Sequence, residues 1–217
     1  MADALRAPQQ DRSRDKLERI YEVSVELLVE GGWDAVTVGS VERRSGVSRG
    51  AFYLRFPNRE ALLDYTRKRL IATVGKDQDA AFERARAAGA ETLDVAVVAA
   101  VEAIAHVFRR HGPALLRLDR QDAEREAEKS AGAKAMNRLS QEFRSVLEPL
   151  TGADQAWRTH LEFATEIVFS MLVLRSRPRV TFSEHTRRDW DTFIHDVSDA
   201  VTDYLGARIP PAARGEA

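Results

Sequence analysis

Apolar residues recur along this chain at the three-and-four spacing that keeps one face of an α-helix hydrophobic. Leu17, Ile20, Ser24, Leu27 and Leu28 fall on one such stripe. Leu93, Val97, Val101, Ile104 and Phe108 form a second, and Met136, Leu139, Phe143, Val146 and Leu147 a third. The pattern stops where Gly and Pro collect: Gly31-Gly32, Gly46, Pro57, Gly112-Pro113, Pro149 with Gly152, Pro178, and Gly206 with Pro210-Pro211. No sustained period-two alternation occurs, and no Asn-Gly or Asp-Gly hairpin turn. The spacing predicts an all-α chain of about nine helices. Residues 1–14 and 208–217 carry no stripe and read as a flexible arm and a flexible tail. Residues 119–134 are dense in charge and poor in large apolar groups, which predicts a loop or an exposed helical turn.

The stretch from Thr37 to Phe56 is the most informative. Gly31-Gly32 closes the first helix, because Gly adopts φ > 0 without strain. Thr37 can cap a second helix over roughly Val38 to Arg44, and Gly46 suits the reversal that follows. Ser48 can cap a third helix over roughly Arg49 to Arg55, and Asn58 a fourth beginning at Arg59. Two short helices joined by Ser45-Gly46-Val47-Ser48 form a helix-turn-helix. Val41, Val47, Phe52 and Phe56 can share one small core. Arg43, Arg44, Ser48, Arg49, Ala51, Leu54 and Arg55 are then left outside.

Composition narrows the function classes. The 217 residues hold 33 Lys plus Arg against 34 Asp plus Glu, a net charge of −1, which argues against a protein that coats polyanions. The average hides an uneven distribution. Residues 43–59 contain five Arg and no acid, leaving 28 basic against 34 acidic residues elsewhere. Positive charge therefore sits on the one short segment shaped to enter a groove. Cys is absent, so there is no disulfide framework, thiolate metal site or Cys nucleophile. No apolar run reaches the length of a membrane span and no secretory signal precedes residue 14, so the expected compartment is the cytoplasm.

The run Gly32-Trp33, Val36-Thr37-Val38, Val41 and Ser45 through Leu63 resembles the DNA-binding motif of the TetR (tetracycline repressor-like) family over roughly residues 13–65. The family usually carries a small Ala where Glu42 stands. A carboxylate there sits at the edge of the helix pair or leans toward an Arg. The family often has His and Lys where this chain has Arg55 and Arg59, changes that keep or add positive charge. The resemblance implies that Thr37, at a helix N-terminus, donates its hydroxyl and N–H to a phosphate. It implies that Tyr53 and Arg59 touch the DNA backbone. Ser48, Arg49, Gly50, Ala51 and Leu54 then face base edges, with Arg49 suited to guanine and Ala51 to a thymine methyl. Tyr53 as a packing aromatic, and Leu54 as a merely exposed residue, remain open alternatives. The DNA-binding set is Thr37, Arg43, Arg44, Ser48, Arg49, Gly50, Ala51, Tyr53, Leu54, Arg55 and Arg59.

The rest of the chain reads as a helical bundle. Trp157, Leu161, Ala164, Val168 and Leu172 make one stripe, and Phe163, Ile167, Met171 and Leu174 make another beside it. A helix with two stripes is covered on two sides. In the resembled family the last two long helices pair with their copies in a four-helix dimer interface. On this chain that implies Val168, Leu172, Trp190, Ile194, Val197 and Val201, although a single chain's core can also cover both stripes. Phe82, Phe108, Leu116, Met136, Phe143 and Trp157 are the candidate lining of an effector pocket, or else plain core.

Enzyme readings are weaker. Gly46-Val47-Ser48-Arg49-Gly50 satisfies G-x-S-x-G, but that nucleophile elbow needs a strand before the Ser, and a helix is predicted there. His160 with Glu162 and Glu166, and Asp191 with His195, give only isolated pairs for a metal. No cofactor, metal or catalytic activity is expected. The expected organisation is an arm at 1–14, a helix-turn-helix domain at 15–60, a ligand-binding and dimerisation domain at 61–207, and a tail at 208–217. The expected function is a repressor that binds a palindromic double-stranded DNA operator as a homodimer and is released by a small-molecule effector. An activator on the same scaffold, or a helical module that does not bind DNA, is the alternative.

Overall fold

A computed structural model describes residues 7–122, 126–151, 155–177 and 189–208. It contains eight α-helices and one 3-10 turn among the described residues, and no strand. The helices are α1 (Ala7–Gly31), α2 (Val38–Ser45), α3 (Arg49–Tyr53), α4 (Arg59–Ala87), α5 (Leu93–Asp122), α6 (Glu126–Thr151), α7 (Gln155–Ser176) and α8 (Trp190–Gly206). The 3-10 turn, Trp33–Ala35, lies between α1 and α2. The all-α architecture matches the periodicity.

The chain divides into two compact units, Met1–Thr73 and Val74–Ala217, with the division inside α4. The sequence placed a boundary at 60/61, where the Asn58 cap opens that helix. The first turns of α4 nevertheless pack within unit 1. Tyr65 lies 5.3 Å from the Phe56 ring, and the Arg69 guanidinium sits 4.3 Å over Tyr21.

In unit 1, α1 buries Ile20, Tyr21, Val23, Leu27 and Leu28. Ser24 shares that stripe without cost, since its hydroxyl donates to the Ile20 carbonyl at 2.7 Å. Buried Thr66, Thr165 and Ser198 use the same device, each donating to the carbonyl four residues earlier.

Unit 2 is built around α5, which packs against α6, α7 and α8. Its face Ala96, Val97, Ala100, Val101, Ile104 and Phe108 lies in one continuous core with Phe82, Phe143, Leu147, Leu161, Val168, Leu172, Val197 and Val201. The alternation of Ala with larger groups lets three helices approach one face of α5.

Three expectations about boundaries need correction. The arm at 1–14 is helical from Ala7 onward, because α1 starts there. Pro8 falls in its first turn, where a missing N–H leaves no bond unmade. The break at Gly112-Pro113 does not occur, since α5 runs through it. Gly112 instead permits a close approach: a Cβ there would lie 2.7 Å from Ser176 Oγ on α7. Pro149 likewise falls inside the last turn of α6, not at a break. Of the two readings of residues 119–134, loop or helical turn, residues 119–122 and 126–134 take the helical one, as their Ala, Glu, Lys and Arg content favours. Apart from Arg208, the expected tail at 208–217 lies outside the described residues.

Candidate nucleic-acid interface

The helix-turn-helix forms where its caps stand. Thr37 opens α2 with a reciprocal box: its Oγ1 accepts from the Ser40 N–H at 3.1 Å, and its own N–H donates to Ser40 Oγ at 3.1 Å. Gly46 ends α2 in the left-handed region at φ 70°, a conformation that costs an L side chain strain. Ser48 Oγ accepts from the Ala51 N–H, and Asn58 Oδ1 accepts from the Ala61 N–H at 2.8 Å. All three predicted caps are in place. The element preceding Ser48 is α2, so the strand–turn–helix that a nucleophile elbow needs is not built here.

Val41, Val47, Phe52 and Phe56 are buried together, with the Phe52 and Phe56 rings 5.4 Å apart. That core fixes which side of α3 looks outward. Ser48, Arg49, Gly50, Tyr53 and Leu54 are exposed, while Ala51 and Arg55 are half-buried. Leu54 is 86% exposed, an apolar side chain that covers nothing within the chain. Tyr53 is exposed and meets Phe52 edge-on at 5.4 Å, so it packs along one edge and offers the rest to solvent.

The five arginines divide by their partners. Arg43 is exposed and has no ion pair or side-chain hydrogen bond among the described residues. Arg44 donates to both Glu30 oxygens, at 2.7 and 2.5 Å, tying α2 to α1. That bond holds the Glu30 carboxyl below its ordinary range. Arg49 donates through Nε to Glu42 Oε1 at 3.2 Å. Arg55 donates to the Ala51 carbonyl at 2.9 Å and to Ser13 Oγ at 2.8 Å, bringing α1 against α3. Arg59 donates through Nε to the Val36 carbonyl at 2.8 Å and through Nη2 to the Trp33 carbonyl at 2.6 Å.

The basic cluster is therefore partly spent inside the fold. Two of its members face carboxylates, and Arg59 organises backbone. The N–H of Thr37, expected at a phosphate, is directed to Ser40 and to the Ala35 carbonyl. Sequence reasoning missed Ser40 because the usual box residue at that place is Glu or Gln. It also missed Arg69, which pairs with Glu18, donates to Tyr65 Oη at 2.8 Å and stacks on Tyr21.

Unit 2 contains a cavity of about 540 Å³ between α4, α5 and α8. Alanines open it: Ala81 and Ala85 on α4, and Ala88 just after it, line it with Ala99 and Ala103 on α5. Its ionisable groups are Arg84, Glu102, His106, Arg109, Asp191 and His195. Arg109 donates to Asp191 at 2.6 Å and lies 5.5 Å over the Trp190 ring. None of the six expected pocket residues lines this cavity. Phe82, Phe108, Phe143 and Trp157 are buried in the core, and Leu116 and Met136 are half-buried. The residues that leave this space are small ones, which carry no aromatic stripe.

The expected interface residues are mostly covered by their own chain. Val168, Leu172, Ile194, Val197 and Val201 are buried by their own chain, and Trp190 is half-buried. A side chain with no exposed surface has none to give a partner. The neighbouring stripe on α7 is the open one: Phe163 is 47% and Met171 39% exposed, with Ile167 and Leu174 half-buried. The two stripes are thus covered in different ways. Among the described residues no group of three metal-ligating side chains occurs, and no helix is long and apolar enough to cross a membrane.

Residues 20–66 match the family model described as bacterial regulatory proteins, tetR family. An uncharacterized HTH-type transcriptional regulator of Bacillus subtilis (strain 168), YerO, is 43% identical over 49 residues, which is 23% of this chain and 17% of that protein. A second from the same organism, YuxN, is 34% identical over 50 residues, again 23% of this chain and 17% of that protein. The chain thus matches only about a sixth of the length of these relatives. A solved transcriptional regulator (TerR/AcrR family) from Aquifex aeolicus VF5 superposes with a TM-score of 0.55 at 19% identity, covering 86% of this chain and 97% of that one. That likeness extends the shared fold beyond the matched segment.

Proposed function

We propose that this chain is a transcriptional regulator of the TetR type, whose residues 20–66, matching the tetR family model, are its helix-turn-helix DNA-binding domain, and that it represses transcription by binding a palindromic operator as a homodimer and leaves it when a small molecule binds. One observation carries the reading. The outward face of α3 presents Ser48, Arg49, Gly50, Tyr53 and Leu54, with uncommitted Arg43 nearby in sequence. Such a face combines donors, a charge and an apolar contact at the scale of a major groove.

A helix of five residues reads few base pairs, so a second copy is needed for a useful site. The open stripe Phe163, Ile167, Met171 and Leu174 on α7 supports an isologous pairing of two chains. The cavity lined by Arg84, His106 and Arg109 supports an effector site. Its α4 wall is part of the helix whose first turn is tied to the Trp33 and Val36 carbonyls by Arg59. A ligand with unequal affinity for two positions of α4 would change DNA affinity by that inequality.

Fluorescence anisotropy with a duplex of random sequence, titrated at several salt concentrations, tests the DNA reading. Affinity should fall steeply with salt, on a log-log slope set by the phosphates contacted. Absence of salt-dependent binding would favour a helical interaction module.

A further inference from the structure

Glu42 is the one acid in α2 and α3, and its charge should weaken DNA binding. Its carboxylate repels phosphates, so its presence in α2 calls for a reason. The geometry supplies one. Glu42 lies on a helix fixed at both ends, by the Thr37–Ser40 box and by the Gly46 N–H on its own carbonyl at 3.0 Å. Its side chain is 18% exposed, whereas that of Arg49 is 70% exposed. The carboxylate therefore sits against protein and the guanidinium stands beyond it. The bond between them uses Nε. Nη1 and Nη2, the pair of parallel donors that matches O6 and N7 of guanine, have no hydrogen-bond partner among the described residues.

We propose that Glu42 is a specificity-determining residue that positions Arg49, holding its guanidinium through Nε so that the Nη fork meets guanine already ordered; this rests on the reading of α3 as the base-contacting helix. An arginine on a bare surface samples many rotamers and loses that freedom on binding. Anchoring its Nε removes part of that loss before DNA arrives. The same carboxylate lowers affinity for every sequence by its charge. Glu42 thus trades general affinity for discrimination, and the two effects have opposite signs in an experiment.

The test uses the full chain and three probes: the duplex it selects from a random pool, that duplex with single base-pair changes, and a random-sequence duplex. Glu42→Ala should lose about 2- to 10-fold of the preference at the base pair that Arg49→Ala also loses. It should bind the random duplex about two- to threefold tighter at low salt. In an Arg49→Ala background, Glu42→Ala should leave base preference unchanged. Glu42→Gln keeps the acceptor and should keep most of the preference, and it serves as the readout if the Ala variant melts early. The proposal is overturned if Glu42→Ala preserves the preference that Arg49→Ala loses. It is overturned equally if discrimination rises, which would mean the carboxylate masks Arg49. A wild-type chain that binds no duplex defeats the reading of α3 itself, a result distinct from either.

Discussion

Arg59 distinguishes a phosphate contact from an internal brace. The resemblance placed its guanidinium on the DNA backbone. The structure has it donating to the Trp33 and Val36 carbonyls, at 2.6 and 2.8 Å. Arg59→Ala removes both bonds. A hydrogen bond from a charged donor contributes about 1.5–3 kcal/mol, and this guanidinium is half-buried, so water recovers part of the loss. A combined cost of about 2–3 kcal/mol follows. Protection of the amides in residues 33–62 against hydrogen exchange should then fall roughly 30- to 150-fold. Mass spectrometry of the exchanged full chain reads that segment directly. Arg59→Lys should recover little, because a single ammonium does not reproduce the planar fork that reaches two carbonyls. Unchanged protection, together with weaker binding to all sequences alike, would refute the brace and restore the phosphate role.

Three further outcomes follow from the geometry. Arg49→Ala should weaken specific binding by about 1–3 kcal/mol and relax one base per half-site, and an unchanged preference in a binding assay removes Arg49 from the readout. Phe163→Glu should shift sedimentation from the proposed dimer to monomer, since the ring is 47% exposed in the single chain; an intact dimer would move the interface elsewhere. The third concerns Asp77, whose carboxylate accepts from His111 Nε2 at 2.7 Å. That bond, opposed by desolvation and aided by Arg110, holds its pKa below the ordinary 3.8. A depressed carboxylate contributes stability above its unfolded pKa and loses it as pH falls through the folded one. The stability gap between wild type and Asp77→Asn, followed by urea unfolding, should thus be full near neutrality and vanish in strong acid. A gap independent of pH would rule out the charged pairing.

What could be read from the chain alone follows from how local each feature is. Thr37, Ser48 and Asn58 cap helices through bonds to residues three positions away, so their roles are visible in sequence. The burial of Val41, Val47, Phe52 and Phe56 follows from helical periodicity once those caps are set. The partners of the arginines are not local. Arg44 meets Glu30 fourteen positions away, and Arg59 meets Trp33 twenty-six away. Counting five positive charges overstated the free charge at the interface, because a count ignores which carboxylates fold back onto them. The burial of the expected interface and pocket residues is likewise not local. The strongest apolar stripe on α7, through Val168 and Leu172, is the one the chain buries for itself. The weaker stripe through Phe163 and Met171 stays open. Cavities, in turn, are left by small residues such as Ala81 and Ala103, which no search for large side chains finds.

The central claim is that two copies of α3 read DNA together. Selection of bound duplexes from a random pool by the full chain tests it most directly. The pool should yield an inverted repeat, with half-site centres about one helical turn apart and a guanine in each half whose enrichment disappears with Arg49→Ala. Recovery of an unpatterned pool, or of a single unrepeated half-site with the same guanine in both proteins, would contradict it.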